Sequence, residues 1–477
     1  MLLVLPVELI EDVMTQLDSR TDLIHFGMTC KQAHLICRPH IFACLKIRIR
    51  HDYRNDNSIS LLKSLTRGET DLAKLVRELS ILTILPRYSR CSGSADMYHK
   101  MTRTKARALR TSVKAIRNVI PQFVILEHLH CDLDPSGGFK AADVDAVIRA
   151  LAVLPRLVSL SLNFGYGPFL LVPPYLIRSS LSHFKNLHSV KIWGEAYSYE
   201  SVIGPLVVNN PNLIHLAIFG RSSALVTTFC KIQKYYKLRH LSITDLSIGC
   251  SIDATVPNLV PYLRHLRVTP TSDSSFIPTE FWTALTQRGI LLATLLVHNA
   301  TEALMEYLES YSGLEVLSLF PEGDAQADAF YGRVLQQHVR TLRKVSIEIT
   351  SRGKWCIGPL ALDTLSRCTK LVELNMPIYM HHEVGVVYNP QHSALDLQQF
   401  LVLLPNLRQL YMRGPKPVHE FTSMCIQSAI NYFRSDSPLD LVVSTDTWMY
   451  RSKTEYGVNV LRCVGAWKAV QLPWESW

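Results

Sequence analysis

A pattern of apolar positions, Leu-x-x-Leu-x-Leu with other aliphatic residues substituting, recurs along most of the chain. The alternation of apolar and polar residues at the end of each copy is the periodicity of a β-strand with one buried face. The copies begin, at irregular spacing, at Leu126, Leu157, Leu187, Leu213, Leu238, Leu263, Leu292, Leu314, Leu342, Leu371 and Leu407, with a possible earlier copy at Val76. The pattern therefore predicts one short strand per copy.

Helical periodicity fills several of the stretches between these strands. Residues 141–154, 301–311, 326–337 and 395–404 space their apolar positions as an amphipathic helix does. A strand followed by a helix in every repeat resembles the leucine-rich-repeat family. The resemblance implies an α/β fold in which the repeats stack into a curved solenoid with a parallel sheet on its concave side. The family's asparagine after the third aliphatic position is mostly missing, so we expect an irregular solenoid.

The first part of the chain has a different pattern, with apolar positions at helical spacing in three short groups. The first group includes Leu9, Ile10, Val13 and Leu17, and residues 18–22 interrupt it with side chains suited to helix capping. Two further groups follow, the last of them closed at Pro39. This predicts three helices within residues 1–45, a unit too small to bury much surface without a neighbour or partner.

The residues of this unit resemble an F-box. The resemblance rests on Leu5-Pro6-Val7-Glu8-Leu9-Ile10, then Val13, Leu17, Asp22-Leu23, Cys30-Lys31 and Arg38-Pro39-His40-Ile41-Phe42. His34 departs from it, because many members of the family have tryptophan near that position. The resemblance implies a Skp-type adaptor and a cullin scaffold as partners, and no catalytic centre in this chain. The expected adaptor contacts are Leu5, Pro6, Glu8, Leu9, Ile10, Val13, Leu17 and Leu23.

The outward positions of the predicted strands are candidates for binding a target protein. Residues before, between and after the buried aliphatic positions point to the opposite face of the sheet. His215, His240 and His265 occupy the same position on three consecutive strands, which predicts a ladder with a spacing of about 4.8 Å. Aromatic side chains and arginine are the residue types that carry most interface energy. The expected target-binding residues are Lys191, Trp193, His215, Phe219, His240, His265, Arg267 and Phe320.

Composition narrows the class of protein. Hydrophobic residues make up 48% and charged residues 19% of the 477 residues, a balance typical of a folded soluble chain. No apolar run is long enough to span a bilayer, and no secretion signal is evident, so the eleven cysteines indicate reduced thiols in the cytoplasm or nucleus. Phosphate-loop, zinc-protease and serine-hydrolase motifs are absent from the sequence. We therefore expect no cofactor and no bound metal.

Residues 100–117 are rich in basic side chains and lack acidic ones. On a helix, Arg103, Arg107, Arg110, Lys114 and Arg117 would form one stripe. We favour a solvated face of an amphipathic helix here over a site for nucleic acid or an acidic partner.

These patterns divide the chain into four parts. They are an F-box at 1–45, a linker with a possible first repeat and the basic helix at 46–125, the repeat array at 126–434, and a C-terminal cap at 435–477. The expected function is substrate recognition in an SCF-type ubiquitin ligase. The alternatives are a repeat scaffold outside any ligase and a binder of nucleic acid or acidic partners.

Overall fold

The repeated leucine pattern forms parallel strands, and the N-terminal pattern forms helices. The computed structural model describes residues 7–17, 19–49, 57–83, 111, 113–132, 141–163, 180–193, 205–219, 237–246, 257, 260–270, 277–349, 353–356, 359–377, 404, 406–414, 440–445, 448–455 and 458–466. The chain divides into two units, Met1–Cys250 and Ser251–Trp477, called here the first and second units. Each unit contains its own run of repeats.

Three helices open the first unit, as predicted. They are α1 (Val7–Thr15), α2 (Arg20–Gly27) and α3 (Lys31–Ile41). The Ser19 hydroxyl caps α2 by accepting a hydrogen bond from the backbone N–H of Asp22, at 3.0 Å. Pro39 lies inside α3 and does not end it. The core that joins the helices consists of Ile10, Met14, Cys37 and Ile41, with Leu23, Phe26, Ile36 and Phe42 packed against it.

The strands of the first unit follow one another in chain order, and each is parallel to the next. They are β1 (Cys44–Ile49), β2 (Glu78–Thr83), β3 (His128–Asp132), β4 (Ser159–Asn163), β5 (Ser189–Trp193), β6 (His215–Phe219) and β7 (His240–Leu246). Helices α4 (Asn57–Thr66) and α5 (Ala141–Ala152) lie between strands in sequence, together with the 3-10 turns Asp71–Lys74 and Ile120–Gln122. Strand β2 lies at the possible earlier copy that begins at Val76, and β1 precedes every copy of the pattern.

The second unit has the same arrangement of parallel strands with helices between them in sequence. Its parallel strands are β8 (His265–Pro270), β9 (Thr294–His298), β10 (Val316–Phe320), β11 (Lys344–Ile347), β12 (Glu373–Pro377), β13 (Gln409–Gly414) and β14 (Asp440–Thr445). Its helices are α6 (Thr279–Gln287), α7 (Glu302–Glu309) and α8 (Pro359–Ser366). A composite helix lies between α7 and α8 and consists of Ala327–Ala329, the π-helical turn Phe330–Val334, and Leu335–His338.

An antiparallel pair of strands ends the second unit. Strand β15 (Trp448–Glu455) pairs antiparallel with β14, and β16 (Val458–Ala466) pairs antiparallel with β15. The sequence predicted a cap at 435–477 but no antiparallel sheet. The strand–helix repeat pattern ends before this region, so it carried no information about the direction of these strands.

The leucine pattern has the orientation that its periodicity predicts. Strands β4, β5 and β9 alternate half-buried and buried side chains, with the aliphatic residues on the buried face. A backbone ladder joins successive repeats just before each strand: Val158 N–H donates to the carbonyl of Glu127, and His188 N–H donates to that of Val158, at 2.9 and 2.8 Å. The fold is therefore α/β, with parallel sheets built from leucine-rich-type strand repeats and three helices at the N-terminus.

Buried polar side chains hold the first leucine of some repeats in place. Asn210 accepts a hydrogen bond from the N–H of Leu187 at 2.7 Å and donates to the carbonyls of Phe184 and Leu206. In the second unit, His338 accepts from the N–H of Leu314 at 3.4 Å. These contacts satisfy the backbone N–H groups at the start of the motif, which the hydrogen bonds between strands leave unpaired.

Candidate interaction surfaces

Five large apolar side chains are exposed among the described residues of the three-helix unit. Leu9 and Val13, one turn apart on α1, are 48% and 41% exposed, and Ile24 and Met28, on α2 and directly after it, are 38% and 78% exposed. Leu35 on α3 is 56% exposed. A helix that packs on its neighbours turns its apolar residues inward, so this second, outward set is not explained by the unit's own core. We call Leu9, Val13, Ile24, Met28 and Leu35 the module surface.

The predicted adaptor contacts have different positions in this unit. Leu9 and Val13 belong to the module surface, whereas Ile10 is 2% exposed and lies in the core. Leu17 is half-buried, and Leu23 packs against the core. Leu5 and Pro6 lie outside the described residues, as does the side chain of Glu8. Ile10 therefore supports the module surface from inside and is not itself available for contact.

Ile24, Met28 and Leu35 were not among the predicted contacts. Ile24 and Met28 are four residues apart, a spacing that places both side chains on the same side of α2. That spacing could have indicated them. The F-box resemblance instead predicted contacts mainly on and just before the first helix.

The sheet of the first unit presents a face opposite its buried aliphatic residues, called here the open face. Strand register aligns its side chains in rows across β3–β7. The first row is His128, Ser159, Ser189, His215 and His240, and the middle row is His130, Ser161, Lys191, Ala217 and Ser242. The third row is Asp132, Asn163, Trp193, Phe219 and Thr244.

Aromatic rings stack on this open face. The rings of Trp193 and Phe219 lie 4.7 Å apart and nearly parallel, and His130 approaches the Trp193 ring edge-on at 5.9 Å. His215 and His240 stack at 3.8 Å. All five side chains are half-buried. Four of the predicted target-binding residues thus lie together in two ring stacks of one unit.

The polar groups of the first and middle rows are donors and weak bases. The Nδ1 atom of His130 lies 2.6 Å from the Ser161 hydroxyl. Burial lowers the pKa of His130, and the nearby Lys191 ammonium lowers that pKa further. On strands β3–β7 these two rows contain histidine, serine, lysine and alanine but no carboxylate. They can therefore donate hydrogen bonds to an anion without repelling it.

The remaining predicted target residues lie on the corresponding face of the second unit. His265 contacts the hydroxyl of Thr294 at 2.9 Å, and burial lowers the pKa of its imidazole. Phe320 stacks on His298 at 4.1 Å. Arg267 is half-buried on β8. Two members of the predicted histidine ladder, His215 and His240, stack on each other in the first unit. The third member, His265, belongs to the second unit.

The corresponding face of the second unit contains an ion pair between two neighbouring strands. Lys344 on β11 forms an ion pair with Glu373 on β12, its register partner, at 2.9 Å. Both side chains are largely withdrawn from solvent. Asn375 donates to the Ser346 hydroxyl on the same two strands, at 2.9 Å. Lys344 therefore has an anion from its own chain.

Other candidate sites fall mostly outside these surfaces. Among the residues that the structure describes, no group of three or more His, Cys, Asp or Glu side chains could hold a metal ion. Of the basic stripe, Lys114 and Arg117 are exposed on a helical segment whose Val113 and Ile116 are buried, whereas Arg103, Arg107 and Arg110 lie outside the described residues. No described helix is long and apolar enough to cross a membrane.

No protein-family model matches the chain, and no curated protein does. Among solved structures, the chain is similar to one from the crystal structure of the Rad7 and Elc1 complex of yeast, at 14% identity and a TM-score of 0.45. The match covers 76% of this chain and 83% of that chain. A likeness of this size supports no inference about function.

Proposed function

We propose that this protein is the substrate-recognition subunit of an SCF-type ubiquitin ligase. In this proposal the three-helix unit binds a Skp-type adaptor that connects to a cullin scaffold, and the open face of the repeats binds a target protein. The chain itself is not an enzyme and needs no cofactor. It accelerates transfer by holding the target near the charged ubiquitin-conjugating enzyme, an effect of proximity. Such a complex would work in the cytoplasm or nucleus.

The module surface is the observation that supports adaptor binding most strongly. A small helical unit with a core of its own gains nothing from keeping these five further apolar side chains in water. Helices that place apolar anchors in a partner's groove do need such side chains. The sequence of the same unit, Leu5-Pro6-Val7-Glu8-Leu9-Ile10, resembles the F-box. The F-box resemblance and the exposed module surface therefore both favour a Skp-type adaptor as the partner.

The open face supports the second half of the proposal. Trp193 and Phe219 present stacked rings on strands that the repeat array holds rigid, and Lys191 lies on the same face of β5. Aromatic and cationic side chains on a rigid scaffold are typical of the centre of protein interfaces. A repeat scaffold that acts outside any ligase would use the same face, so only adaptor binding separates the two functions.

An affinity purification of the full chain tests the proposal. We expect wild-type protein to retain a Skp-type adaptor together with a target, and Met28→Ser with Leu35→Ser to lose the adaptor while keeping the target. Val208→Ser is the matched control, because Val208 is also exposed but lies in the repeats. Wild-type protein that retains a target but no adaptor would favour the scaffold instead.

A further inference from the structure

We propose that the open face of β3–β7 recognises a carboxylate of the target, on a segment that also places an apolar side chain on the Trp193–Phe219 stack. This inference deepens the proposed function, on which it rests, by assigning the chemistry of the target. The groups that receive the carboxylate are Lys191, His130 with Ser161, and the neighbouring serines of the first two rows.

The charge of the two rows is the first argument. Across β3–β7, the first and middle rows carry one lysine, four histidines and four serines. No carboxylate occupies these positions, and the nearest acidic residue in register is Asp132 in the third row. Two rows of donors that contain no carboxylate attract an anionic partner.

The contrast between Lys191 and Lys344 is the second argument. Both lysines are half-buried on outward strand positions. Lys344 has Glu373 beside it in register at 2.9 Å, so its charge is neutralised within the chain. The register partners of Lys191 are Ser161 and Ala217, and no ion pair of Lys191 occurs in the part of the chain that the structure describes. A half-buried ammonium that has no paired anion among the described residues leaves a place for an external one.

The types of cationic group favour a carboxylate over a phosphate. Phosphate groups are typically bound by the forked guanidinium of arginine, which makes two parallel hydrogen bonds. The outward rows of β3–β7 contain no arginine. One lysine ammonium with imidazole and hydroxyl donors matches the single charge of an Asp or Glu side chain. We therefore assign carboxylate as the ligand and treat phosphate as an alternative to be tested.

The aromatic stack defines what should lie next to the carboxylate. Trp193 follows Lys191 by two residues on β5, so the two side chains share a face about 7 Å apart. Phe219 stacks on Trp193 from β6. A target segment with an acidic side chain near an aliphatic or aromatic one can contact both groups at once.

A binding measurement with synthetic peptides tests the inference on the full-length chain. The probes are a labelled peptide of alternating Glu and Leu, the same peptide with Gln for Glu, and the same with phosphoserine for Glu. We expect the Glu peptide to bind wild-type protein at low ionic strength at least about tenfold more tightly than the Gln peptide. Lys191→Met should remove that difference. Lys185→Met, which changes an exposed lysine outside the strand, should preserve it.

The outcomes separate this inference from the proposed function. Equal binding of Glu and Gln peptides, or full Glu-peptide binding by a folded Lys191→Met variant, would overturn the carboxylate assignment. A phosphoserine peptide bound about tenfold more tightly than the Glu peptide would overturn it in favour of phosphate. Adaptor retention is measured on the same samples. Loss of peptide discrimination with the adaptor retained refutes this inference alone, whereas discrimination without an adaptor refutes the ligase proposal alone.

Discussion

Asn210 and His338 are buried polar residues with complete sets of partners. Asn210 is fully buried and joins the turn at Phe184 to the strand that follows Leu187. His338 is equally buried, and its Nε2 lies 3.0 Å from the carbonyl of Leu308 while its Nδ1 accepts from the N–H of Leu314. These contacts define a neutral imidazole with its proton on Nε2. Each residue accepts a hydrogen bond from the backbone N–H of the first leucine of a repeat.

Replacing Asn210 should destabilise the first unit strongly. Asn210→Ala leaves the buried N–H of Leu187 and two carbonyls without partners, and each unsatisfied group costs about 1–3 kcal/mol. We expect a loss of about 3 kcal/mol in the free energy of unfolding, measured by urea denaturation. Asn212→Ala is the control: its side chain binds only the exposed Lys237 among the contacts described, and it should cost less than about 0.5 kcal/mol. Equal losses in the two variants would show that the Asn210 contacts do not stabilise the turn.

His338 should make the stability of the second unit depend on pH. Burial lowers its pKa to about 4 in the folded protein, whereas an unfolded histidine has a pKa of about 6.5. The stabilisation is therefore complete above about pH 6.5 and is lost as pH falls towards about 4, because only the unfolded chain binds the proton in this range. The slope contributed by His338 approaches about 1.4 kcal/mol per pH unit.

The non-titrating variant His338→Gln is the comparison for this prediction. Glutamine can still donate to one carbonyl and accept from one amide, but it takes up no proton. Urea denaturation between about pH 7 and pH 5 should show a steeper loss of stability in the wild type than in the variant. Parallel curves would mean that His338 takes up its proton over the same pH range in the folded and the unfolded chain, so that burial does not lower its pKa.

At the scale of elements, repeated local patterns could be predicted and single irregular ones could not. The helices at 141–154, 301–311 and 326–337 were predicted within a few residues, since each has a long apolar stripe. The π-helical turn at Phe330–Val334 has no sequence signature. Its tertiary contacts include the Thr364 hydroxyl, which donates to the carbonyl of Tyr331 at 3.0 Å. Contacts of that kind are made by distant residues and are invisible in a local pattern.

The composite helix should depend on the Tyr331 hydroxyl as well. Tyr331 is fully buried and donates to the carbonyl of Trp355 at 2.8 Å. Tyr331→Phe removes the donor while keeping the ring, so we expect a loss of about 1–2 kcal/mol in the free energy of unfolding. Tyr262→Phe, at an exposed site, is the control and should change stability little. A Tyr331→Phe variant as stable as the wild type would show that the Trp355 carbonyl finds another partner.

The strands allow a test of where the target binds. Trp193→Ala with Arg267→Ala removes one large side chain from the open face of the first unit and one from the corresponding face of the second unit. We expect target capture to be lost while adaptor retention persists. Because Trp193 stacks on Phe219, a modest loss of stability of about 0.5–1.5 kcal/mol should accompany it. A double variant that is folded and captures every wild-type partner would exclude these residues from target binding.

At the scale of the whole molecule, the sequence predicted which strand side chains face outward better than which side chains of α1 are buried. Strand periodicity placed Lys191, Trp193 and Phe219 outward correctly, because a period of two leaves only two faces to choose from. On α1 the helical stripe did not separate Leu9 from Ile10, since consecutive residues on a helix lie only 100° apart and both are apolar. Which of them is buried depends on how α3 packs against α1, and that is a tertiary fact.

The most direct test of the proposed function is the affinity of the purified chain for a purified Skp-type adaptor, measured by titration. We expect a stable complex with the wild type. Leu9→Ser with Val13→Ser should weaken it at least about tenfold without lowering the melting temperature, because both side chains are exposed in the free protein. Leu5→Ala with Pro6→Ala should have a similar effect on affinity. A folded wild-type chain that binds no adaptor, or a Leu9→Ser and Val13→Ser variant that binds it as tightly as the wild type, would contradict the account.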